Sequence, residues 1–138
     1  MDAFRLPLLF GIALAGATGT LARYGLSTVV GRRLADTGFP WGTVTVNILG
    51  CYLFGLVWSL AENRAWIGAE ARIILLVGFM GGFTTFSSFG YETYALFRDA
   101  EWSRGLANIL LQNSCGILFL WLGVLSVRLA ERFAKLAA

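Results

Sequence analysis

Phe86 and Phe89 stand three residues apart in the run GGFTTFSSFG, Gly81 to Gly90, so both rings fall on one side of a helical segment. A phenyl ring carries a positive edge and a negative face. Edge-on, it stabilises a small anion without the grip of a full charge, and conduction requires binding weak enough to release. On spacing alone two such rings are ordinary packing; their polar surroundings make them candidates. Asn47 lies in an apolar stretch after Thr43 and Thr45 and offers two N–H donors to an anion, or to a neighbouring helix as packing glue. Ser87, Ser88 and Glu92 follow the glycine-rich run. An ionised Glu92 is an odd neighbour for an anion path; it is either protonated or an acceptor from Asn108 or Gln112. Those two amides are four apart and share a helix face, whereas Asn113 and Ser114 point elsewhere, toward a neighbour. Arg23 either attracts anions at a vestibule or snorkels to the membrane interface. Carbonyls freed from helical bonding at Gly81 and Thr84 can converge on a cation, or be satisfied by a second chain or a water.

These residues need elements to hold them, and the composition says in what solvent. The chain has 138 residues, 57% of them hydrophobic and only 14% charged, against roughly 25% charged in soluble domains. Such a chain cannot cover itself with a polar surface. It is expected to be an all-α integral membrane protein, a single four-helix transmembrane domain over residues 1–138, with no room for a second. Four apolar stretches each approach the roughly 20 residues a spanning helix needs: Leu6 to Val30, Trp41 to Ala61, Ala71 to Phe97 and Leu106 to Leu129. The connectors between them are short and polar. Pro7 suits the first turn of a helix. Gly11, Ala15, Thr18 and Ala22 suit a packed helix face, since membrane helices approach through small residues. Ala15-Gly16-Ala17 resembles a signal-peptide cleavage site, but the apolar character continues to Val30, so cleavage is not expected.

The third stretch is expected to break. Gly costs about 1 kcal/mol relative to Ala in a helix interior, and Thr loses rotamer freedom there. Loose backbone at membrane depth is tolerated only where protein or a water-filled site satisfies it, so an interruption within Gly81–Gly90 points to a site. His is absent, which removes the commonest general base and metal ligand. Without a nucleophile–base pair or cofactor loop, an enzyme is not expected. Cys51 and Cys115 read as small packing residues. The arginines lie at segment ends and in connectors, with no nucleic-acid patch. Arg5, Arg64, Arg72, Arg128, Arg132 and Lys135 fall on one side of a four-span topology; Arg32, Arg33, Arg98 and Arg104 fall on the other. That bias is weak, and both cytoplasmic termini and dual insertion stay open.

Three motifs in order resemble the Fluc family of fluoride channels, also called CrcB proteins. They are Gly19-Thr20-Leu21-Ala22-Arg23-Tyr24, the run FPWGTVTVNILG from Phe39 to Gly50, and GGFTTFSSFG followed by Glu92. The resemblance covers the whole chain, and the combination is highly specific. It implies an antiparallel, dual-topology homodimer with two fluoride pores in the bacterial inner (plasma) membrane, as a multi-pass protein. It implies a broken third helix and a structural Na⁺ at the dimer interface, held by backbone carbonyls of Gly81 and Thr84. Phe86 and Phe89 become pore phenylalanines and Asn47 the pore asparagine, with Thr43 one turn earlier. Ser87 and Glu92 join the polar track, and Arg23 is the basic residue of the first motif. The family's fourth helix often carries a Tyr/Ser track; here that face carries Asn108 and Gln112. Ser88 stands where Thr is common. The expected function is passive fluoride export. The rival is a small proton-coupled multidrug exporter, which relies on a carboxylate in the first helix; none occurs here after Asp2.

Overall fold

The computed structural model describes residues 5–63 and 67–136; Asp2 and Arg64, used above, lie outside them. Helix α1 runs Leu6–Arg33 with Pro in its first turn, where the missing N–H is harmless. A 3₁₀ turn, Ala35–Thr37, leads through Gly38 to α2, Trp41–Asn63. The third pass begins with α3, Ala69–Ile73. It widens into a π-helical segment, Ile74–Met80, and closes with one α-helical turn, α4, Gly81–Phe83. Thr84 and Thr85 are extended (φ −89°, ψ 157° and φ −146°, ψ 109°), and α5 starts afresh over Phe86–Arg98. Helix α6, Trp102–Leu136, is the last described element.

Among the described residues, four paths are long and apolar enough to cross a membrane: Leu6–Arg33, Trp41–Glu62, Ala69–Arg98 and Trp102–Leu136. The four stretches read from the sequence fall within them. The described chain is thus an all-α, multi-pass membrane protein. Its surface and interior are arranged for lipid. Phe10, Leu14, Leu21, Leu110, Ile117 and Trp121 are exposed, while Asn108, Ser59, Thr43 and Gln112 are buried beside Val46, Met80 and Phe83. Acyl chains solvate the apolar shell, and polar groups inside must find partners in the protein or in a water-filled site.

Helix α1 lies against the π segment and α4, and α2 lies along α6. Both pairs approach backbone to backbone. A Cβ on Gly82 would strike the Gly16 carbonyl, and one on Gly19 would strike that of Phe79. The α1 contact face therefore centres on Gly16 and Gly19; Thr18 and Ala22, named above for that face, are exposed. The expected stripe drifted by one residue because 3.6-residue spacing allows either three or four at each step.

Candidate functional site

The extended pair Thr84–Thr85 is held from outside its own helix. The Thr85 amide donates to Asn47 Oδ1 at 2.8 Å, and Asn47 Nδ2 donates back to the Thr85 carbonyl at 3.1 Å. One side-chain amide from α2 thus pairs with both backbone polar groups of Thr85, as a neighbouring strand would. Thr85 also caps α5: its Oγ1 accepts from the Ser88 amide at 3.2 Å, the usual role of Thr at a helix start. In an uninterrupted helix the Thr85 and Ser88 amides would bond the carbonyls of Gly81 and Thr84. Both donors are diverted here. The Gly82 carbonyl between them accepts from Arg23 Nε at 3.0 Å. Gly81 is exposed, and a Cβ there would meet nothing within 4 Å. Gly81 and Thr84 therefore present carbonyl oxygens without their helical donors, which is the donor chemistry an alkali cation takes from unwound membrane backbone.

From Asn47 a chain of hydrogen bonds runs through the interior. Asn47 Nδ2 also donates to Gln112 Oε1 at 2.7 Å, and Gln112 Nε2 donates to Asn108 Oδ1 at 2.8 Å. Asn108 Nδ2 donates to Thr93 Oγ1 at 2.9 Å, and that hydroxyl donates to the Phe89 carbonyl at 2.7 Å. Amide orientations are settled by such networks. The Thr85 peptide admits only one orientation of Asn47, and each later amide must follow it.

Two hollows flank Thr85. The first, about 320 Å³, is lined by Asn47, Thr84, Thr85, Phe86, Phe89, Gln112 and Asn113, with Gly50, Cys51, Phe54 and Leu120 at its apolar wall. The rings of Phe86 and Phe89 lie 5.4 Å apart and tilted by 52°; Phe86 is 81% exposed. The second hollow, about 360 Å³, is lined by Arg23, Thr43, Ser88 and Glu92 among others. The Thr43 hydroxyl donates to Glu92 Oε1 at 2.6 Å, while Glu92 Oε2 is buried with no hydrogen-bond partner.

The candidates thus separate into groups. Asn47, Phe86, Phe89 and Gln112 share one hollow. Thr43, Glu92 and Arg23 share the other. Glu92 takes its bond from Thr43 and not from Asn108 or Gln112, whose amides are engaged with each other. Asn108 is fully buried and lines neither hollow; it joins Gln112 to Thr93. Ser87 is exposed, its Oγ 3.3 Å from Thr85 Oγ1. Asn113 faces the first hollow rather than only a neighbour, with Nδ2 bonded to the Ile109 carbonyl of its own helix. Ser114 lies in a separate groove with Trp41 and Cys115. Sequence reasoning missed Thr85 and Thr93 as individual parts. Thr is a favoured helix-start residue, which is the one local hint of the first; nothing local marks Thr93.

Residues 10–124 match the family model described as CrcB-like protein, Camphor Resistance (CrcB). The chain belongs to the CrcB family. A relative from Nitrosococcus oceani, named fluoride-specific ion channel FluC, is 53% identical over 112 residues, which is 81% of this chain and 89% of the relative. Proteins of the same name from Desulforapulum autotrophicum and Solidesulfovibrio magneticus are 51% and 52% identical over 118 residues, each match covering 86% of this chain and 94% of the relative. The matched region of the family takes in both hollows and the whole relay.

Proposed function

We propose that this CrcB protein is a fluoride-selective channel that lets F⁻ leave the cytoplasm passively across the bacterial inner membrane, working as an antiparallel dimer with two pores. The observation that carries the reading is the first hollow, where an amide and two tilted phenyl rings meet at the start of a helix inside the membrane-spanning path. Hydrogen fluoride crosses lipid as a neutral molecule and dissociates in a more alkaline cytoplasm, trapping the ion. A channel lets the membrane potential expel it, with about 2.3 kcal/mol per charge per 100 mV.

Fluoride is small and tightly hydrated, so the path must replace water with donors. Asn47 supplies amide N–H groups. The edges of Phe86 and Phe89 supply weaker positive potential, which suits release as well as entry. The N-terminus of α5 opens on the same hollow, and its unpaired amides favour an anion there. Ser87, Thr43 and Glu92 continue the polar track, with Arg23 at the adjoining vestibule. We further propose that Gly81 and Thr84 hold a structural Na⁺ between two copies; when bound, it supplies positive charge and ties the interrupted segments together. The relatives' shared name favours the channel over a multidrug exporter, whose expected first-helix carboxylate is missing from α1.

The deciding experiment is fluoride efflux from proteoliposomes, followed with an electrode and with chloride as control. Rapid fluoride release with chloride retained is expected. Equal release of both ions, or none of fluoride, overturns the reading.

A further inference from the structure

Both hydrogens of the Asn47 amide are already committed. One goes to the Thr85 carbonyl and the other to Gln112 Oε1, the latter at 2.7 Å. An anion entering the first hollow therefore finds no spare Asn47 donor; it must displace one of these acceptors. The Thr85 bond belongs to the two-bond clip that holds the extended backbone, and losing it would also disturb the partner bond from the Thr85 amide. The Gln112 bond is the separable one, and Gln112 lines the same hollow as Phe86 and Phe89.

We infer that Gln112 is a positioning residue that sets how tightly the pore holds fluoride, because its Oε1 competes with the ion for the second Asn47 N–H. This rests on the channel reading above and deepens it. With the hollow empty, Gln112 Oε1 gives the half-buried Asn47 donor a protein partner, sparing the cost of leaving it unmade. When fluoride arrives, the charge-assisted bond is the stronger, and the N–H transfers from the carbonyl to the ion. As the ion leaves, the carbonyl takes the donor back. Occupancy is thus opposed by a bond of similar geometry, and the ion is not trapped.

Gln112 cannot escape this role by turning over. Its Nε2 is held by Asn108 Oδ1, and Asn108 is held in turn by Thr93, whose hydroxyl is committed to the Phe89 carbonyl. All three side chains are buried. The relay keeps Oε1 toward Asn47 and commits one Gln112 N–H to Asn108. Asn108 and Thr93 act through Gln112 in this scheme and do not touch the ion.

The test uses the full-length protein and two readouts: fluoride binding by calorimetry on the purified protein, and fluoride flux in proteoliposomes as a function of concentration. Gln112→Met keeps the length and removes the competing oxygen. Its dissociation constant and half-saturating fluoride should both fall roughly tenfold, the ratio expected for one hydrogen bond, while the maximal rate drops because release slows. Gln112→Ser withdraws the acceptor from Asn47 and should shift both quantities in the same direction, should the Met variant not assemble. A lower maximal rate with unchanged or weaker binding in either variant overturns the inference, since a purely structural role predicts that pattern. Wild-type protein that binds fluoride but conducts none would sink the channel reading, while the binding comparison would still decide the competition.

Discussion

Phe86 and Phe89 act by weak electrostatics, so a change of ring to branched aliphatic keeps the volume roughly constant and removes the edge. Phe86→Ile and Phe89→Ile should each lower fluoride flux by at least roughly fivefold, as expected for loss of an aromatic contact of about 1 kcal/mol or more, with the elution volume of the assembled protein unchanged. Wild-type flux in either variant would remove the rings from the mechanism. Asn47→Asp acts differently. An ionised carboxylate repels the anion, leaves the Thr85 carbonyl and Gln112 Oε1 without their donor, and still accepts from the Thr85 amide. We expect flux to collapse and thermal stability to fall by about 1–3 kcal/mol, read as a drop in melting temperature; a variant as stable as wild type would argue against the two-bond clip. At this scale the sequence marked Asn47, Phe86 and Phe89 as candidates by their setting in an apolar run, and the structure brings all three to one hollow. The partner of Asn47 was not legible, because it is the backbone of Thr85, 38 positions away, and backbone carries no sequence signature.

Helices meet here through missing side chains and close with particular end geometries. Gly82→Val would drive a branched Cβ into the Gly16 carbonyl, and neither backbone can retreat without parting α1 from α4. It should abolish accumulation of folded protein in membranes, whereas Gly81→Ala, whose Cβ meets nothing within 4 Å inside its own chain, should accumulate normally. At the other end of the third pass, α5 finishes in a Schellman turn: the Glu101 amide bonds the Leu96 carbonyl at 2.8 Å, and the Ala100 amide bonds Phe97 at 3.1 Å. Ala100 occupies the left-handed position, φ 61°, where glycine is the favoured residue. Ala100→Gly should raise stability by about 1 kcal/mol, measured by thermal unfolding in detergent; a lower melting temperature would contradict the turn as described. The spans themselves were legible from length and hydropathy. The π segment was not: Ile74–Met80 is uniformly apolar, and a run without polar residues offers no period from which 4.4 residues per turn could be told from 3.6.

For the whole molecule, the even spread of arginines left orientation open, and the antiparallel arrangement proposed here makes a sharp demand. Half the copies must present the α5–α6 turn to each side. A single Cys at exposed Ser103, in a chain carrying Cys51→Ala and Cys115→Ala, should react with impermeant thiol reagents from both faces of the membrane. Labelling from one face alone would leave no place for inverted partners. The composition announced a lipid-solvated protein, and the structure explains how it remains ordered: large apolar side chains face outward along the spans, and the buried amides of Asn108 and Gln112 satisfy one another in series with Thr93.

One dimension of α6 has a practical consequence. Its 35 residues extend about 52 Å at 1.5 Å each, while the oily slab of a bilayer is roughly 30 Å deep. Even with tilt, the final turns bearing Arg128, Arg132 and Lys135 must stand proud of the lipid like a mast. The family match stops at residue 124, short of that overhang. A fluorophore or affinity handle fused beyond Leu136 would therefore ride in water, well away from the ion's route.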